Sequence, residues 1–323
     1  MKPAPFEYHA PADLDEALAL LAELGPEAKV LAGGQSLVPV LNMRLASPAH
    51  LVDLNRVPGL DHVRVEDDAV VVGALVRHAS LLSHSAARTA QPLLRQALSW
   101  VAHPAIRNRG TTVGSIVHAD PSGEMPAILA VTDGSVLLRS AGGERVVPAS
   151  EFFVGPMESC VADDEIAVEA RFGRFPAGTR TGFTEIARRH GDYALAGVAL
   201  AVHIDGEDGD ARSSSGGPAD GGSPSGGPAG AGGPGLIRSA RAGYVSVTEV
   251  PGVLDLTPVL GGASAEDLPG LAEAVAEAVA AHVDPVDDIH ASADYRRHLA
   301  IVQTQRLLSS LLDVAAPDQE VSA

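Results

Sequence analysis

Apolar residues along this chain come in short runs of two different periods, which predicts alternating helices and strands of modest length. Asp13-Leu14-Asp15-Glu16 has the pattern of a capping box, and Leu14, Ala17, Leu18, Leu21 and Leu24 follow at helical spacing. Gly25-Pro26 ends that helix. A strand over residues 29–32 runs directly into Gly33-Gly34-Gln35-Ser36, and further strands are predicted at 50–54 and 69–74. Helices are expected over 92–102 and 125–131, then strands at 135–139, 165–172, 182–188, 196–204 and 240–250. The chain closes with two amphipathic helices, 268–282 and 293–312, the first with Asp267 as its expected N-cap and Pro269 in the opening turn.

This order is mixed α+β without a long βαβαβ series, which argues against a doubly wound nucleotide-binding sheet. The pattern breaks once. Residues 206–235 hold 12 of the 34 glycines, interspersed with Ser, Pro and Asp, and so have too little apolar surface to build a core. Lying between two strand-like runs, this segment reads as an expanded hairpin loop rather than a domain linker. Gly230, Gly232 and Gly235 spell GxGxxG there, but with no strand before and no helix after, the match follows from low complexity alone.

The 323 residues suffice for about two domains. With 23 Lys plus Arg against 41 Asp plus Glu, the formal charge is −18, which repels phosphate backbones and argues against nucleic acid as a partner. No apolar run is long enough for an integral membrane segment, and the N-terminus lacks the order of a secretory signal, so a cytoplasmic location is expected. Cys160 is the single cysteine, so this chain by itself can form no disulfide, CxxC pair or iron–sulfur cage. The 12 His lack i, i+4 or paired Cys/His spacing, so no metal site is expected.

Three segments carry candidate chemistry. At Ala32-Gly33-Gly34-Gln35-Ser36, a strand meets two glycines and a hydroxyl, an arrangement that lets backbone N–H groups converge on a diphosphate. The run from Leu37 to Leu41 can start a helix there, with Pro39 limiting its regularity. The alternative is a tight bend that merely needs glycine. At Arg109-Gly110-Thr111-Thr112-Val113-Gly114-Ser115, hydroxyls and glycines cluster again, with Asp120 and Glu124 downstream as acceptors for ribityl or ribose hydroxyls. The alternative is a polar stretch whose Asp-Pro-Ser-Gly makes a β-turn. Asp120 and Glu124 could also form an acid/base pair, although a cofactor-facing role better explains their Thr, Gly and Ser neighbours. In Arg188-Arg189-His190-Gly191-Asp192-Tyr193-Ala194, Tyr193 is either a stacking aromatic or a core residue at a strand start. No G-x-S-x-G elbow is present.

Taken together, PFEYHAPADLDEALALLAELG, LAGGQSLVPVLNMRLASPAHLVDLNRV, the second glycine segment with ADPSGEMPA, FTEIARRHGDYALAGVAL and ADYRRHLA resemble the FAD-binding medium subunit of the xanthine dehydrogenase and carbon monoxide dehydrogenase family. The resemblance covers nearly the whole chain. It implies an FAD-binding fold of the vanillyl-alcohol oxidase (PCMH) type over residues 1–177, in subdomains of about 1–55 and 56–177. A smaller C-terminal α+β domain is implied over 178–323. It further implies FAD contacts at Lys29, Val30, Leu31, Ala32, Gly33, Gly34, Gln35 and Ser36, and at Thr111, Thr112, Val113, Gly114 and Ser115. An acidic contact at Glu124, weaker placements at Ala102, Val161 and Glu185, and Tyr193 beside the isoalloxazine complete the set.

Where the family commonly has T-I-G-G-N, this chain has Thr111-Thr112-Val113-Gly114-Ser115. A β-branched residue resists positive φ, so Val113 is expected in extended conformation. The implied function is electron transfer with no catalytic residue in this chain. A molybdopterin-binding large subunit would hydroxylate the substrate, a [2Fe-2S] small subunit would relay electrons to this FAD, and the assembly would be a dimer of heterotrimers. The competing readings are a stand-alone flavin-dependent oxidoreductase and a non-catalytic cofactor-assembly protein.

Overall fold

The computed structural model describes residues 2–205 and 235–314. Strands Glu7–His9, Ala28–Leu31 and His50–Asp53 form a parallel sheet with His50–Asp53 at its centre. Between the first two runs helix Leu14–Leu24, capped by Asp13, which accepts from the Glu16 N–H at 2.8 Å. The Glu16 carboxylate reaches back to the N–H of Ala12 at 2.6 Å, so the box closes one residue earlier than the usual motif. Ala17, Leu18 and Leu21 line the buried face, against Val52 and Leu54.

A five-stranded antiparallel sheet follows, in the order Val63–Val65, Ala69–Gly73, Ile166–Gly173, Ser135–Ser140, Gly143–Pro148. Helices Pro92–Leu98, Thr112–His118 and Glu124–Val131 share its core, and every residue of Ala69–Gly73 is buried. The last sheet is an antiparallel meander of Thr179–Ala187, Ala194–Ile204, Ile237–Val245 and Val253–Asp255. One face meets helix Glu124–Val131 so closely that a β-carbon on Gly243 would stand 3.0 Å from the Ala127 carbonyl oxygen. Helices Leu268–His282 and Ala293–Leu311 share the core of the opposite face. Covered on both sides, strand Ala194–Ile204 is buried almost throughout and loses the alternation of a half-exposed strand.

The architecture is α+β. Ile204 pairs with Ile237 in an antiparallel ladder, so the strands flanking the glycine-rich segment are joined as a hairpin; residues 206–234 of that expected loop lie outside the described residues. Two expectations change. The helix expected over 92–102 stops at Leu98, and Ala102 adopts a left-handed φ of 41° just before Pro104. Asp267 stands at the N-cap position of helix Leu268–His282, as expected, but its side chain makes no capping bond there; its carboxylate turns back to the N–H and hydroxyl of Ser264, both at 2.8 Å, in a capping box of its own. Strand Glu7–His9 and helices His78–Ser83, Ser85–Ala90, Pro104–Arg107 and Thr112–His118 are too short for periodicity to reveal. Among the described residues no helix is long and apolar enough to cross a membrane.

Candidate functional site

The first glycine turn leaves the end of strand Ala28–Leu31 and enters helix Leu37–Met43. Gly34 has φ 71°, a backbone state that side chains resist. Ser36 makes no side-chain cap to the helix, and the carboxamide of Gln35 donates to the Gly33 carbonyl at 3.1 Å. Among the described residues, no protein group accepts from the backbone N–H groups of Gly33, Gly34, Gln35 or Ser36. These half-buried donors, clustered at a helix start, are suited to an anionic ligand.

The second turn lies against the first. A β-carbon on Gly33 would stand 2.6 Å from the Arg109 carbonyl oxygen, 2.7 Å from Gly110 Cα and 2.9 Å from the Thr111 nitrogen. The bare α-carbon of Gly33 therefore admits the other turn rather than a ligand. Gly114 is similar: its added β-carbon would meet the Thr111 hydroxyl at 2.5 Å, the group that caps helix Thr112–His118 by accepting from the Gly114 N–H at 3.2 Å. Val113 lies in this helix and is buried in the core, which corrects the expectation of an extended conformation. Right-handed helix satisfies a β-branched residue's aversion to positive φ just as well as a strand does.

Two residues that sequence reasoning did not single out tie the turns together. Asn55 donates from Nδ2 to the Ala32 carbonyl at 2.9 Å. Arg77 donates to the Asn55 side-chain oxygen and, with its other terminal nitrogen, to the Arg109 carbonyl. Backbone bonds from His78 to Gly110 and from Thr112 to Val76, at 3.0 and 3.1 Å, fix the second turn to the same segment. No local motif marks either residue, because each acts on backbone far away in the sequence. Lys29 pairs with Asp163 at 3.9 Å, which brings the neighbourhood of Val161 to strand Ala28–Leu31. Arg107 donates to the Ala102 carbonyl at 2.9 Å, holding that residue beside the second turn.

An acidic seam lies where the C-terminal sheet meets the helices. Asp120 closes a turn by accepting from the Gly123 N–H at 2.9 Å through its carbonyl, and Pro121 accepts from Ser246 of the meander at 2.9 Å. Burial, reinforced by the Asp120 charge, pushes the Glu124 carboxyl up to about 7. Glu185, 5% exposed on strand Thr179–Ala187, is pushed up to about 8 by burial and then by Glu124, and its Oε2 has no hydrogen-bond partner. Two carboxyls so placed resist joint ionisation, and a protonated one offers an O–H donor. Tyr193 is 69% exposed, which overturns the alternative of a core tyrosine. Desolvation at its hydroxyl, followed by the charges of Asp120 and Glu124, holds the phenol above its usual value. The turn before it has Gly191 at φ 86° lying on the His103 ring, next to Ala102. The structure thus gathers the three sequence segments, from residues 29–36, 102–124 and 185–193, around one locality.

Similarity to known proteins places the chain in a family. Residues 4–172 match the family described as the FAD binding domain in molybdopterin dehydrogenase. The 6-hydroxypseudooxynicotine dehydrogenase complex subunit alpha of Paenarthrobacter nicotinovorans is 38% identical over 324 residues, covering 99% of each chain. The carbon monoxide dehydrogenase medium chain of Hydrogenophaga pseudoflava is 40% identical over 206 residues, covering 64% of this chain and 72% of that one. A solved structure of carbon monoxide dehydrogenase from the same organism, in a form lacking the Mo-pyranopterin moiety of the molybdenum cofactor, superposes with a TM-score of 0.82 at 33% identity. It covers 96% of this chain and 98% of that one. The free amides, the abutting turns and these relatives lead to one assignment: the chain belongs to the family of FAD-binding oxidoreductase subunits of molybdopterin dehydrogenases.

Proposed function

We propose that this chain is the FAD-binding electron-transfer subunit of a molybdenum hydroxylase complex. It accepts electrons from the iron–sulfur clusters of a partner subunit and passes them to an external acceptor. The observation that carries this reading is the meeting of two turns, about 80 residues apart, at a group of backbone N–H donors that no protein group among the described residues uses. Such a cradle suits a diphosphate. We assign FAD contact to Lys29 through Ser36, to Ala102, to Thr111 through Ser115, and to Glu124, Val161, Glu185 and Tyr193. Bound FAD supplies the redox chemistry, and the protein supplies binding, orientation and electrostatics. The Gly33–Ser36 amides bind the diphosphate, Glu124 and Glu185 offer protonated carboxyls to polar groups of the cofactor, and the exposed Tyr193 ring offers a stacking face.

Cys160 alone supports placing the iron–sulfur ligands on another chain. By analogy with relatives named as a medium chain and a complex subunit, the partners are a molybdopterin-binding large subunit and a [2Fe-2S] small subunit. The assembly is a cytoplasmic dimer of heterotrimers. We divide the chain near residue 177 and give the first part a PCMH-type fold; the separate core that the C-terminal sheet shares with helices Leu268–His282 and Ala293–Leu311 supports the division, while Phe183, Ala194, Ala199 and Val245 pack into the core of the first part. Purification of the full chain tests the proposal. Bound FAD, identified by its absorbance and released by denaturation, is expected together with no substrate oxidation by the isolated chain. Absence of flavin would defeat the cofactor assignment, and turnover by the chain alone would defeat the subunit assignment.

A further inference from the structure

The first sheet holds a cluster that flavin binding does not use. Strand Glu7–His9 pairs with His50–Asp53 in parallel, with Glu7 opposite His50 and His9 opposite Val52. The pleat therefore puts Glu7, His9 and His50 on one face. Tyr8 points to the other face and donates to Asp53 at 2.6 Å. His9 Nε2 lies 3.1 Å from His50 Nδ1, and that same His50 nitrogen lies 3.5 Å from Glu7 Oε2. One donor atom from each residue falls within 4.8 Å of the other two.

We propose that Glu7, His9 and His50 form a binding site for one divalent transition ion of the zinc class, with water completing its coordination. Nitrogens bound to one zinc at 2.0–2.1 Å stand about 2.9 Å apart at a right angle and about 3.4 Å apart at the tetrahedral angle. The observed 3.1 Å falls inside that interval. The Glu7 oxygen needs only a small adjustment, and its side chain, 75% exposed, is free to make it. Two imidazoles and a carboxylate suit zinc and its neighbours, whereas calcium and magnesium take all-oxygen sets and copper(I) takes sulfur. The donors are carried on paired strands, and the edge strand is further held by the Glu7 N–H donating to the Ala49 carbonyl at 2.8 Å. Sequence spacing conceals this set, because His9 and His50 are 41 positions apart. The competing account is a hydrogen bond between the two imidazoles with Glu7 beside them, which predicts no metal affinity.

The test uses the tag-free full chain with its flavin, stripped with chelator and titrated with zinc chloride in a calorimeter. One zinc per chain is expected, with at least a tenfold loss of affinity in His9→Gln and in His50→Asn. X-ray absorption at the zinc edge should show two imidazoles on the ion. Circular dichroism of the metal-free variants checks that the sheet is intact. If a variant does not fold, the absorption spectrum of the wild type decides alone. No stoichiometric binding, binding unchanged in the double variant, or a zinc shell without imidazole would each overturn the proposal.

Discussion

Gly33→Ala is the sharpest test of how the two turns meet. Its β-carbon would come within 2.6 Å of the Arg109 carbonyl oxygen, where ordinary contact begins near 3.4 Å, so the turns must part by about 0.8 Å, the difference of those two distances. Neither side gives way easily. The Arg109 carbonyl is held by Arg77, the Gly110 N–H donates to the Ile106 carbonyl at 2.7 Å, and all three atoms struck are backbone. Overpacking of this kind costs about 1–3 kcal/mol. Expressed wholly in cofactor affinity, that is a roughly 5- to 150-fold weaker FAD complex. Fluorescence titration of the flavin-free protein with FAD measures the affinity, and thermal melting measures the remainder. Wild-type affinity together with an unchanged Tm would show that the turns do not abut as described.

Three other changes probe separate terms. Arg77→Ala removes the donors to Asn55 and Arg109 and should cost about 1.5–3 kcal/mol, read as a lower Tm and lost flavin; Arg77→Lys should rescue only in part, since one ammonium lacks the fork of a guanidinium. Native Glu124 and Glu185 retain protons that ordinary carboxyls, titrating near 4.5, have lost, so stability of the flavin-free protein falls as pH rises from about 4.5 to about 8. Glu185→Gln should match wild type near pH 4.5 and exceed it at pH 8.5, with a ceiling of about 5 kcal/mol from 3.5 units at ~1.4 kcal/mol each; denaturant melts showing a pH-independent difference would contradict this. Gly270→Ala, in helix Leu268–His282 with nothing within 4 Å of its added β-carbon, should stabilise by about 0.5–1 kcal/mol and leave flavin content unchanged.

Much of this protein was legible in one dimension because it is local. The Asp13 cap, the strand running into Gly33-Gly34, the buried run at 69–73 and the two closing helices depend on residues a few positions apart. Helices His78–Ser83, Ser85–Ala90 and Pro104–Arg107 escaped because fewer than two turns make no readable period; Thr112–His118 is rich in β-branched residues and looked like loop. Three features arise only in the folded chain. Gly33 is glycine because another turn packs on it, Asn55 and Arg77 matter through carbonyls far from them in the sequence, and Glu185 is perturbed by Glu124 across a seam between sheet and helix. The His9–His50 contact is of the same kind. Propensity and capping are set by neighbours along the chain, whereas contact distances and local dielectric are set by neighbours in space, and only tertiary packing determines which residues those are.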